Sequence, residues 1–275
     1  MVKNILVPTD LSLESNSIFP HAITIAQVFD STLHLLHVMP PEALNEPEQL
    51  GDFPHVSKFF TKDANRVDLP PLKMSVAASK MYLYHRNVAK VILSAARHKN
   101  ADLICMASTG SGGSLRWWSV GRTIERVMQA SPCPVLCLRG RPIPEKEWKR
   151  PRYKHVLLIA DLRPNGKEVL PAIMPWVETF KGLLHIFPLL NGDKQQPEES
   201  ERLREVYERG APRSNLLLFS NPAKRAKNLM AFVKDTSMDL IAMTPEARRQ
   251  FSNPLISDVL VKLFDATESP ILMLR

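Results

Sequence analysis

The chain spells one pattern of blocks twice. Lys3-Asn-Ile-Leu-Val-Pro-Thr-Asp10 is matched by Lys154-His-Val-Leu-Leu-Ile-Ala-Asp161, with the same opening lysine, apolar run and closing aspartate. His34-Leu-Leu-His-Val38 is echoed by Leu183-Leu-His-Ile-Phe187, and Ala101-Asp-Leu-Ile-Cys-Met106 by Met238-Asp-Leu-Ile-Ala-Met243. Pro132-Cys-Pro-Val-Leu-Cys-Leu-Arg139 corresponds to Glu268-Ser-Pro-Ile-Leu-Met-Leu-Arg275, and Pro20 and Pro171 stand at matching places. Four blocks repeated in order imply an internal duplication, so whatever the first half folds into, the second half repeats.

Each block is a short apolar run, too short for a helix and suited to a buried strand. Amphipathic stretches lie between them. Ser12 to Phe29 places Ile18, Ala22, Ile25, Ala26 and Phe29 on one helical face, with Ser12 as N-cap and Pro20 kinking the helix or delaying its start. Thr32 to Met39 reads as the second strand, Leu72 to Tyr84 contains the third, and Asn87 to His98 is a helix. In the second copy, helices are expected over 166–180, 198–209 and 222–236, with a strand over 214–220. The long stretch from Pro40 to Pro71, with a short helix at 55–67, suits a lid or contact surface. Gly140 to Arg152, with three prolines among lysines and arginines, cannot hold regular structure throughout. The domains expected are therefore 1–140 and 153–275, with 141–152 as linker.

Strand alternating with helix makes the fold class α/β, two copies of a doubly wound, five-stranded parallel sheet with helices on both faces. Right-handed crossovers put the first and fourth strands side by side at each sheet's centre. Beyond the carboxyl ends of those strands lies the crevice where such sheets take ligands. In the first copy Pro8-Thr9-Asp10 ends one of them. The other, Leu103 to Ala107, runs into a loop rich in glycine and serine, Ser108 to Ser114, and a helix follows Gly121 with Ile124, Val127 and Met128 on one face. Backbone N–H groups at a glycine loop and helix start form a phosphate cradle. The second copy has Thr244 to Pro254 there, without a glycine, and its side chains would obstruct a polyphosphate.

The stretch from Ala101 to Arg139 resembles the universal stress protein family. That family's pattern is Gly or Ala, two residues, Gly, nine residues, then Gly with Ser or Thr, a helix and a Pro-Cys-Pro-Val-like strand. Here Ala107, Gly110 and Gly121 fit it, with ten residues between the last two and Arg122 in place of the Ser or Thr; Thr123 follows. The duplication extends the resemblance over nearly the whole chain, as a tandem form with flavodoxin- or Rossmann-like units.

The resemblance implies an adenine-nucleotide site in the first copy. Asp10, with Pro8 and Thr9 beside it and the backbone around Val38 and Met39, would hold adenine and ribose. Gly110, Gly113, Gly121, Arg122 and Thr123 would surround the phosphates of ATP or AMP, with Ala107 among the binding residues at the start of the motif and Mg²⁺ carried on those phosphates. Arg122 could contact phosphate bidentately or pair with Asp10. The resemblance also implies an intramolecular pseudo-dimer, or a homodimer, with a regulatory role. A nucleotide-free interaction scaffold and a slow ATPase are the alternative readings.

Composition narrows the field further. No apolar run approaches the roughly 18 residues of a membrane span, and the first strand starts at once, without a signal-peptide pattern. Cys105, Cys133 and Cys137 have neither metal-ligand nor redox-motif spacing, so reduced buried thiols in a cytoplasmic setting are expected. The formal charge of +8 is spread through helices and linker, which suits a solvated surface better than a nucleic-acid site. His34 and His37 fall on opposite faces of a strand with no Asp or Cys spaced to complete a metal site. Trp117 and Trp118 are core caps or part of a dimer surface. No nucleophile elbow, P-loop or HExxH is present, and no catalytic nucleophile with its base is marked.

Overall fold

A computed structural model describes residues 2–10, 12–38, 73–79, 87–108, 122–141, 149–160, 169–188, 214–217, 222–244 and 268–275. The chain divides into two compact units, Met1–Pro151 and Arg152–Arg275. The expected helices at 55–67 and 198–209, and Trp117, Trp118 and Asp161, lie outside the described residues.

In the first unit β1 (Asn4–Thr9) leads through a short 3-10 turn (Ser15–Ile18) into α1 (Phe19–Phe29). Then follow β2 (Thr32–Val38), β3 (Lys73–Ser79), α2 (Val88–His98), β4 (Leu103–Ser108), α3 (Arg122–Ala130) and β5 (Val135–Arg139). Its strands lie in the order β3-β2-β1-β4-β5, and every pair is parallel. The second unit runs β6 (His155–Ala160), α4 (Val169–Thr179), β7 (Leu183–Pro188), β8 (Ser214–Leu216), α5 (Pro222–Thr236), β9 (Leu240–Met243) and β10 (Ile271–Met273). It repeats the order as β8-β7-β6-β9-β10, also parallel throughout. The first and fourth strands of each unit are neighbours, as the crossover rule requires.

The helices form where the apolar spacing placed them, with adjustments at their starts. Pro20 cannot donate an N–H, and it sits at the first turn of α1, where none is needed. The residues before it make the 3-10 turn, so the expected single helix from Ser12 is a turn followed by a helix beginning at Phe19. Pro171 likewise occupies the third position of α4, while Pro175 is the proline inside that helix. In α2, Asn87 caps the start by accepting from the Lys90 N–H. Ile124 and Val127 of α3 are buried as expected, whereas Met128 is only half-buried. The strand expected at 214–220 is described only over Ser214–Leu216.

The duplication reaches down to single hydrogen bonds. Asp102 Oδ2 accepts from the Lys3 and Asn4 N–H groups at 2.7 and 2.9 Å. In the second unit Asp239 Oδ2 accepts from Lys154 and His155 at 2.7 and 2.8 Å. Each aspartate fixes the entry of its unit's first strand beside the fourth. Left-handed residues recur as well: Asp30 and Asn100 are answered by Lys181 and Ser237. Both sheets bury aliphatic cores, Ile5, Leu33, Ile104 and Leu136 in one and Val156, Leu184, Ile241 and Leu272 in the other. Cys105, Cys133 and Cys137 are buried free thiols. Burial pushes Cys137 up to about 12, and burial together with Cys133 pushes Cys105 up as well, so both stay protonated.

Candidate functional site

The carboxyl ends of β1, β2 and β4 bring several expected site residues to one side of the first unit. Pro8 and Thr9 close β1 and are buried, and Asp10 follows, exposed. The β1–β2 ladder runs to Thr9↔His37, so half-buried Val38 lies next to Asp10's end of β1. Ala107, also half-buried, lies on β4 opposite Leu138 of β5. Arg122 and Thr123 form the first turn of α3. Met39, Gly110, Gly113 and Gly121 lie outside the described residues.

Pro8 alters the sheet locally. Asn4 C=O accepts from Asp102 N–H, and Lys3 C=O accepts from Thr32 N–H, so even-numbered β1 residues address β4 and odd-numbered ones address β2. Pro8 is even-numbered and has no N–H to give. The β1–β4 pairing accordingly stops at Ile5↔Leu103 and Leu6↔Ile104, although both strands continue. On its other side β1 stays paired over six residues. The ladder is thus interrupted on one side only, at the strand pair where a doubly wound sheet takes its ligand.

Beyond Pro8 a set of hydroxyls orders the turn. Asp10 Oδ1 accepts from the Ser12 N–H at 3.0 Å and from Ser12 Oγ at 2.6 Å. Ser12 Oγ in turn accepts from the Ser15 N–H at 3.1 Å; expected as the helix N-cap, it instead closes the turn that precedes α1, whose N-cap is Ile18. Ser15 Oγ donates to the Ser12 carbonyl at 2.9 Å, so the buried contact of 2.9 Å between Thr9 Oγ1 and Ser15 Oγ has Thr9 as donor. Partial burial pushes the Asp10 carboxyl up. The bonds from Ser12, with the nearby Ser15 hydroxyl adding, outweigh it and hold the group below its ordinary range. Asp10 is therefore a fixed, ionised carboxylate at the crevice.

His37 Nδ1 lies 3.0 Å from the Thr9 carbonyl, which makes Nδ1 the protonated nitrogen and ties β2 to β1 at the same end. His34, on the opposite face, contacts Asn4 Oδ1 at 3.1 Å near the other end of the strands. Among the described residues no group of three or more His, Cys, Asp or Glu side chains could hold a metal ion. No described helix is long and apolar enough to cross a membrane.

The sequence marks Asp10, but it offers Ser12 only as a helix cap and gives Ser15 no role. The signal available is the Asp-x-Ser spacing, in which a hydroxyl two residues on can close a turn upon the carboxylate.

Residues 1–139 match the family model described as the universal stress protein family. Over 151 residues, 54% of this chain and 86% of the relative, the chain is 29% identical to a universal stress protein of Methanocaldococcus jannaschii. Among solved structures, a universal stress protein from Archaeoglobus fulgidus DSM 4304 aligns with a TM-score of 0.63 and 16% identity, covering 99% of this chain and 96% of that one. A protein of unknown function from Pseudomonas aeruginosa PAO1 aligns at 0.62 and 16% identity, covering 99% and 92%. At such identities the structural likeness speaks for the fold, and the sequence match carries the family. The chain belongs to the universal stress protein family.

Proposed function

We propose that the protein is a tandem, cytoplasmic universal stress protein with domains 1–140 and 153–275 joined by the linker 141–152. In this reading the first domain binds an adenine nucleotide, ATP or AMP, and the second does not. The observation that carries it is the one-sided interruption of the β1–β4 ladder at Pro8, next to the ionised Asp10 carboxylate. A crevice with few backbone ties between its walls and a fixed acceptor at its rim suits a ribose, with the phosphates directed at the glycine loop. Mg²⁺ would travel with the phosphates. With no nucleophile and base marked in the sequence, the role is regulatory: the nucleotide selects a conformation or a partner. The pseudo-dimer rests on the sequence, whose matched fifth strands are apolar and need cover.

Calorimetric titration with ATP and Mg²⁺ tests the reading. Wild type is expected to bind, Gly110→Val to lose binding because a branched side chain would block the loop's approach to phosphate, and Ala247→Val in the second copy to behave as wild type. A wild type that gives neither heat nor protection against thermal unfolding would leave an interaction scaffold as the better account. Phosphate release above blank would make the protein an ATPase. An equal effect of both variants would end the assignment of one competent half.

A further inference from the structure

We infer that Ser12 is the positioning residue that lets this site select a ribose over a deoxyribose; the inference rests on the nucleotide reading above. Both Ser12 donors, the N–H at 3.0 Å and Oγ at 2.6 Å, fall on the same oxygen of Asp10, Oδ1. Oδ2 accepts no hydrogen bond among the described residues, and Asp10 is exposed at the strand end. Among the described residues the carboxylate is thus held by the two Ser12 donors through one oxygen, and in this reading it offers the other to the ligand. An aspartate on the surface ordinarily samples several rotamers, and fixing it before the ligand arrives removes that ordering cost from binding.

Ser12 can do this because it is itself fixed. Its Oγ has a single proton, given to Asp10, and its lone pair takes the Ser15 N–H at 3.1 Å. Its carbonyl is held by the Ser15 hydroxyl at 2.9 Å and the Asn16 N–H at 3.2 Å. The Ser15 oxygen is held in turn by Thr9, on β1 itself. The proton directions run one way, from Thr9 through Ser15 toward Ser12, and separately from Ser12 to the carboxylate.

The chemistry such a group recognises is a pair of adjacent hydroxyls. A carboxylate with one oxygen committed and one presented accepts from the 2′- and 3′-hydroxyls of a furanose and has less to offer a sugar lacking the 2′-hydroxyl. The predicted ligand class is therefore a ribonucleotide. Ser12, which does not touch it, sets the preference through Asp10.

The test compares ATP with 2′-deoxy-ATP by calorimetry on the full chain. Wild type is expected to bind ATP about tenfold more tightly, the size of one charge-assisted hydrogen bond. Ser12→Ala should bring the two affinities to within about twofold of each other by weakening ATP alone, and Ser12→Thr should restore the preference. Loss of the turn bond alone would lower the melting temperature of Ser12→Ala without altering this ratio. Ser12→Gly removes the same hydroxyl in a turn where glycine is sterically tolerated, and guards against a variant that does not fold. Variants that keep the wild-type ratio would reduce Ser12 to a turn residue and overturn the inference. Wild type that binds both nucleotides equally would also overturn it while leaving nucleotide binding intact. Wild type that binds neither would remove both readings.

Discussion

The central strand pairs of the two units start alike and end differently. β1 and β6 each enter beside an aspartate that accepts two N–H groups, and each is paired along one flank to its end. On the other flank the β1–β4 ladder stops after two pairs, while β6–β9 continues from Val156↔Leu240 through Ile159↔Met243. Ile159 stands at the place of Pro8, and its carbonyl also accepts from the Thr244 N–H at 3.3 Å. Ala160 replaces Thr9, and Arg163 and Gly166 replace Ser12 and Ser15 in the matched sequence. The second copy thus has a closed ladder and lacks the residues whose hydroxyls order the Asp10 turn. In the proposed reading, losing a ligand site needs no change of fold, only local changes: a ladder hydrogen bond that a proline withheld, the hydroxyls of the turn and the glycines of the loop.

The comparison can be broken most forcibly by exchanging the two residues that define it. Ile159→Pro removes an N–H from a buried central strand and forces its φ, and is expected to destabilise the second unit by about 3 kcal/mol or more. Chemical denaturation of the full chain should show that loss as an early transition. If Ile159→Pro melts like wild type, Pro8 does not explain the open ladder in the first unit.

A somewhat smaller effect is expected on acidification, at a histidine pair that among the described residues belongs to the second unit. In the second unit His155 Nδ1 lies 3.3 Å from His185 Nε2 with the rings stacked, and His185 meets Phe232 in a T-shaped contact. In the first unit Asn4 takes the place of His155. Burial, and after it the neighbouring His155, pushes His185 down from 6.5 to about 4. The unfolded chain then takes up a proton that the folded one refuses. The contribution is full above pH 6.5, is lost as pH falls toward about 4, and does not change further below that. It amounts to at most about 3 kcal/mol, less what solvent screens. In the first unit burial lowers His21 to about 4 and, with Lys99 adding, lowers His34 as well, so that unit should lose stability in the same direction and over the same range. His155→Asn, which copies the first unit, should raise the stability retained at pH 5 in urea unfolding. An unchanged pH profile in that variant would mean His155 has no part in the effect.

Smaller again is the contrast where α1 and α4 hand over to their next strands. Ser31 Oγ donates to the Val2 carbonyl at 2.8 Å, whereas a Cβ on Gly182, its counterpart, would lie 2.7 Å from the Tyr153 carbonyl. Gly182→Ala is expected to cost about 1–3 kcal/mol by forcing that backbone apart, and Ser31→Ala about 1 kcal/mol for one hydrogen bond. Thermal melts of the two variants check the order.

The least change in stability is expected for Pro8→Ile. The ladder bond it supplies, worth about 1 kcal/mol, is offset by the greater freedom of the unfolded chain. Its effect should appear instead as slowed amide exchange at the ends of β1 and β4 and as weaker ATP binding. Faster exchange there would contradict the reading of Pro8 as the interruption.

Much of this was legible in the residues because it is local or periodic. The matched apolar blocks around Leu103 and Leu240 identified the strands, and crossover handedness placed the first strand beside the fourth. The Pro20 and Asn87 signals act within a turn of helix, which is why the sequence shows them. The burial of Ile124 and Val127 follows from helical period, but Met128 depends on what packs above it and is left half-buried. That Pro8 breaks one ladder and spares the other follows only from the tertiary structure, because a residue's N–H addresses a particular neighbour once the sheet order and register are set. The same holds for Asp10. Its sequence position marked it as a strand-end acid, but its charge and the oxygen it presents depend on Ser12, Ser15 and Thr9 meeting in space, and no periodicity encodes that.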